Sequence, residues 1–75
     1  MRRSTDVIRS NLWAEMARRG WSQQDLGERM GRLQPWVSRR MSGRVGITTD
    51  DLQRFAEALG VTVERLVKDH DAAVA

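Results

Sequence analysis

One local arrangement occurs three times in this 75-residue chain and leaves few folds open to it. An apolar residue precedes a Ser or Thr, and a second apolar residue follows five places after the first. Trp21-Ser22 is answered by Leu26, Ile47-Thr48 by Leu52, and Val61-Thr62 by Leu66. Each set describes a capped helix start. The hydroxyl accepts a hydrogen bond from an otherwise unpaired first-turn N–H, and the apolar pair closes over it as a staple. Asp25 and Asp51 stand three places after Ser22 and Thr48, so two of the starts can form a reciprocal capping box.

The stops are equally regular. Gly20, Gly31, Gly43 and Gly60 each follow a stretch of helical spacing, as C-terminal caps do. Five helices follow from these marks. The first covers about 6–19, with Ile8, Leu12 and Met16 on one face. The second covers 23–30. The third covers about 34–41, with Pro35 tolerated in its first turn and Leu33, Val37 and Met41 as the inward stripe. The fourth covers about 49–59 and faces inward with Leu52, Phe55, Ala56 and Leu59. A short fifth covers about 63–68. Trp13 and Trp21 read as core or staple residues. β-Branched residues form no strand-like run, so the expected fold class is all-α, a compact five-helix domain over residues 6–68. Residues 1–5 are expected to be a flexible basic N-terminus and 69–75 a frayed tail.

Composition narrows the chemistry. The chain has no cysteine, which removes disulfides and zinc-finger chemistry and suits a reducing cytoplasm. No apolar run approaches the roughly 20 residues of a membrane span, and the basic start leads into no apolar signal core. The expectation is a cytoplasmic protein without a membrane partner. Nothing resembles a phosphate loop, a metal cluster or a nucleophile beside a base, and His70 stands alone. No catalytic residue, metal, cofactor or small-molecule ligand is therefore indicated. The net charge of +3 is unevenly spread: residues 1–46 hold ten arginines against four acids, whereas 47–75 hold three bases against six acids. An anionic partner is expected on the first half. Arginine supplies all but one of the basic residues, and its planar fork suits phosphate and guanine better than lysine does.

Only Gly31-Arg32-Leu33 separates the second helix from the third. So short a connection with a glycine is the turn of a helix-turn-helix. The stretch from Gly20 to Gly31 (Gly-Trp-Ser-Gln-Gln-Asp-Leu-Gly-Glu-Arg-Met-Gly) resembles helix 2 of the phage repressor/Cro, or Xre-type, family. Val37-Ser38-Arg39 followed by Ser42-Gly43 is similar to its recognition helix and the turn after it, and Leu52 through Val61 is similar to its fourth helix. The resemblance covers about residues 8–68. It implies a lambda-repressor-like domain that binds duplex DNA through helices 2 and 3, usually as a repressor and often as a dimer. The chain departs from the family pattern in three places. Gly27 stands where alanine is usual, Leu33 where Ser or Thr is usual, and Arg40-Met41 where an apolar residue and an acid are usual.

The resemblance places the N-terminal part of helix 3 at the base edges. Gln34, Pro35, Ser38 and Arg39 are the expected base contacts. Glutamine pairs bidentately with adenine and arginine with guanine, while Pro35 offers only apolar contact, such as to a thymine methyl. Gln23 matches a family position that bonds a phosphate and braces the glutamine of helix 3. Arg32, Trp36, Arg40, Ser42 and Arg44 flank helix 3 and are expected at the phosphates. Trp36 and Arg40, four apart, can also stack as a cation–π pair. The implied partner is a double-stranded operator, with a homodimer forming in solution or only on DNA through Val63, Leu66, Val67 and Val74. A protein-interaction module on the same fold, antitoxin-like, is the alternative.

Overall fold

The computed structural model describes residues 3–69, and these form five α-helices: α1 (Ser4–Arg19), α2 (Gln23–Met30), α3 (Gln34–Met41), α4 (Thr49–Leu59) and α5 (Val63–Val67). The starts predicted from the repeated pattern are built as read. Ser22 Oγ accepts from the Asp25 N–H at 3.1 Å, and the Asp25 carboxylate accepts from the Ser22 N–H at 2.8 Å. Thr48 and Asp51 repeat the arrangement at 3.0 and 3.2 Å, and Thr62 Oγ1 accepts from the Arg65 N–H at 3.2 Å. Trp21, Ile47 and Val61 lie partly buried against the core, as staple residues should. α1 begins at Ser4, earlier than its apolar stripe indicates, from an extended Arg3 without a side-chain cap.

Each helix sends at least one fully buried side chain into a common core: Leu12 and Met16 from α1, Leu26 from α2, Val37 from α3, Phe55 from α4 and Leu66 from α5. Burying such side chains contributes roughly 1.5–3 kcal/mol apiece, so a shared core fed by all five helices is what makes so small a domain cohere. Polar ties hold the outer helices to this centre. The Asn11 side-chain amide on α1 donates to the carbonyls of Leu66 and Lys68, both at 2.8 Å, and so caps the C-terminus of α5. Glu15 is buried on the same helix and takes hydrogen bonds from Arg18, Arg19 and Arg65. Burial pushes its carboxyl up, but those three arginines outweigh burial and hold it at about 2. Arg19 also donates to the Leu59 carbonyl at 2.6 Å, joining α1 to the end of α4.

Three expectations change. Leu33 does not face inward. It is the N-cap of α3, in extended backbone with φ −76° and ψ 152°, and is 80% exposed. The four-residue stripe that fits Val37 and Met41 holds only within helical backbone, and Leu33 lies one residue outside it. Trp13 is also no core residue, being 48% exposed. It follows Leu12 directly, and neighbours on a helix point about 100° apart, so a buried Leu12 turns Trp13 outward. Finally, Leu66 belongs to the core and has no exposed surface to offer a second copy, whereas Val63 and Val67 do. Val74, His70 and all of the tail except Asp69, with Met1 and Arg2 of the N-terminus, lie outside the described residues.

Candidate nucleic-acid interface

The turn between α2 and α3 is closed by backbone bonds. Gly31 takes φ +68°, the left-handed region, and the Arg32 N–H donates to the Gly27 carbonyl at 2.8 Å. The chain then folds back so tightly that a Cβ on Gly27 would lie 2.7 Å from the Arg32 carbonyl oxygen and 3.4 Å from a Val37 methyl. Glycine here costs helix propensity, but the absent side chain leaves room for the tight turn that brings α3 onto α2.

α3 presents two unlike faces. Val37 and Met41 are buried, with Trp36 and Arg40 partly buried beside them. On the other side Gln34, Pro35 and Arg39 are exposed and Ser38 is half-buried. The Gln34 amide donates to the Gln23 side-chain oxygen at 2.8 Å, the brace implied by the family resemblance. That bond uses one amide hydrogen of Gln34 and leaves its carbonyl oxygen and second hydrogen available. The Arg39 guanidinium has no hydrogen-bond or ion-pair partner among the described residues, and neither has that of Arg44. The Arg39 carbonyl anchors the next loop instead, accepting from Ser42 Oγ at 3.2 Å and the Val45 N–H at 3.1 Å. Ser42 and Arg44 are exposed on that loop. Arg32 lies in the turn itself, its guanidinium 5.0 Å from the Trp36 ring centre.

Arg40 and Trp36 work behind this face. The Arg40 guanidinium lies 3.8 Å over the Trp36 ring, its Nε donates to Asp51 at 3.0 Å, and a terminal N–H reaches the Trp36 carbonyl at 3.3 Å. Trp36 leans in turn on Phe55, ring centres 5.7 Å apart. The cation–π pair is formed as the spacing suggests. Arg40 is also engaged by Asp51, and its side chain is only 15% exposed. Burial raises the Asp51 carboxyl, but bonds from Arg40 and Thr48 lower it further, so it stays ionised against Arg40. Arg9 completes the support from α1, its Nε donating to the Arg40 carbonyl at 2.9 Å. That bond and the Arg40–Asp51 pair escape sequence reasoning, which sees Asp51 only as a capping residue.

The sequence profile of a helix-turn-helix domain family matches residues 12–67. The chain belongs to the helix-turn-helix domain family. A crystal structure described as a hypothetical transcription factor, NHTF, from Neisseria is similar to it. The two superpose with a TM-score of 0.87 and 25% identity, over 96% of this chain and 83% of that one. No curated protein matches the chain. The five-helix, Xre-type reading thus stands, with α2 and α3 as the helix-turn-helix and DNA as the class of partner.

In this helix-turn-helix domain the charge is arranged for such a partner. Arg32, Arg39 and Arg44 surround α3, while the exposed acids Asp50, Glu57 and Glu64 sit on α4 and α5. Among the described residues no group of three or more His, Cys, Asp or Glu side chains could hold a metal ion. No described helix is long and apolar enough to cross a membrane.

Proposed function

We propose that the domain is a sequence-specific transcriptional regulator, a repressor of the phage or prophage type acting in the cytoplasm. It inserts α3 into the major groove of an operator and blocks polymerase or a competing protein. The observation that carries this reading is the braced Gln34 together with Arg39, which has no partner among the described residues, on the exposed face of α3. The free oxygen and hydrogen of Gln34 match the N6 donor and N7 acceptor of adenine, and Arg39 reaches the two acceptors of guanine. Pro35 and Ser38 complete the base-facing set. Gln23, Arg32, Ser42 and Arg44 take the phosphates, where they fix register. Trp36 and Arg40 hold α3 from behind. Two copies on a palindrome raise affinity by linkage.

Selection of binding sites from random duplexes at near-physiological salt tests the proposal. An enriched motif supports it, and a palindrome with half-sites one helical turn apart identifies two copies on DNA. Weak, salt-sensitive binding without enrichment overturns it in favour of a protein-interaction module.

A further inference from the structure

The Arg32 side chain rests on a ring rather than on an acid. Its backbone is fixed in the turn, where its N–H donates to the Gly27 carbonyl at 2.8 Å. Its guanidinium has no hydrogen-bond or ion-pair partner among the described residues and lies 5.0 Å from the Trp36 ring centre. An acid is close at hand, since Glu28 and Arg32 line one shallow groove, yet no ion pair joins them. Trp36 already carries the Arg40 guanidinium at 3.8 Å, but Asp51 pairs with Arg40 and offsets its charge, so a second cation at the ring is not repelled. Phe55, its ring centre 5.7 Å away, backs Trp36 from the core. Trp36, Arg32 and Arg39 together line a groove beside the exposed face of α3.

Resting on the proposed DNA-binding mode of α3, we infer that Trp36 is a positioning residue for the phosphate contact of Arg32. The ring draws the guanidinium away from Glu28 and holds it beside α3 before DNA arrives. A free arginine loses rotamer freedom when it grips a phosphate, and Arg32 has given up part of that freedom already. An ion pair with Glu28 would instead have to be broken for the phosphate to be bound. Trp36 thus serves the DNA backbone through Arg32.

Binding of Trp36→Leu, Arg32→Ala and the double variant to a random duplex at low salt tests this, since a phosphate contact needs no particular sequence. Trp36→Leu should weaken binding about two- to fivefold, the range that an exposed cation–π contact implies. In the Arg32→Ala background the same substitution should cost nothing further. Trp36→Phe, which keeps a ring against Phe55, should lose less, again only where Arg32 is present, and it carries the comparison if the leucine variant unfolds. Glu28→Gln should add more affinity to Trp36→Leu than to the wild type, because the released arginine pairs with that acid. Equal losses with and without Arg32 overturn the inference and leave Trp36 as a support of α3 alone. An equal gain from Glu28→Gln in both backgrounds overturns it too. Either result leaves DNA binding by α3 standing. No binding of any duplex by the wild type overturns that binding mode and the role of Trp36 together.

Discussion

Arg39 and Gly27 contribute in opposite ways, one by what it reaches and the other by what it lacks. Arg39 has no protein partner among the described residues, so under the proposed binding mode its removal should cost the fold little and the complex much. Arg39→Ala should relax base preference at one position, losing about 1–3 kcal/mol of discrimination there. Competition between the selected duplex and random DNA measures it, and equal losses on both would assign Arg39 to a phosphate. Gly27→Ala sets two effects against each other. Alanine gains roughly 1 kcal/mol in helix propensity. Its Cβ, however, meets a backbone oxygen at 2.7 Å, which a side-chain rotation cannot relieve. Overpacking of this kind costs about 1–3 kcal/mol and should win. Urea unfolding should show a lower midpoint with an unchanged slope, and a stabilised variant would refute the close-approach argument.

Between elements, the ties that matter differ in how far they can be read from sequence. The caps of α2, α4 and α5 are legible because both partners fall within five residues, where helix geometry alone decides who meets whom. The brace from Gln34 to Gln23 was reached only through the family resemblance. The Glu15 cluster, the Asn11 cap on α5 and the Arg9–Arg40–Asp51 chain were not legible. Each depends on a link that only the tertiary fold makes, which for Glu15 is the bond from Arg65 rather than the local pairs with Arg18 and Arg19, and arginine is too frequent here for charge to single out a pair. Leu33 failed for a different reason, since a stripe was continued past the end of its helix. Glu15 gives these ties a measurable consequence. Its carboxyl lies at about 2, against an ordinary value of 4.5. A depressed acid stabilises the fold fully above the ordinary value and loses that contribution as pH falls towards the folded one. Glu15→Gln should therefore be less stable than wild type by on the order of 1–3 kcal/mol at pH 7. The gap should close between about pH 4.5 and pH 2, because only the wild type loses a charge at this position. A gap that stays constant down to pH 2 would mean that packing, not the ionised carboxylate, ties α1 to α5.

At the scale of the whole molecule, charge and size together constrain how the domain sits on DNA. The arginine-rich first half carries the helix-turn-helix and the acids are concentrated on α4 and α5, so the proposed mode turns the basic half to the duplex. Each phosphate neutralised by a cation contributes about 0.9 to the slope of log K against log salt. Arg32 and Arg44 at the phosphates thus predict a slope of about −2 for one copy and about −4 for two. Site symmetry must agree with this number. Half-sites one turn apart have centres roughly 34 Å from each other, and the domain extends 37 × 24 × 18 Å. Two copies so spaced touch only where their long axes point along the duplex. Any direct contact is then small, and Val63 and Val67 are the exposed apolar residues of α5 able to supply it. A palindromic site with a slope near −2 would be inconsistent with two arginines per copy at the backbone. Arg44→Ala should reduce the slope by about one for every copy bound and weaken all duplexes alike, leaving base preference unchanged. A changed preference with an unchanged slope would move Arg44 from the backbone to a base edge and turn α3 relative to the groove.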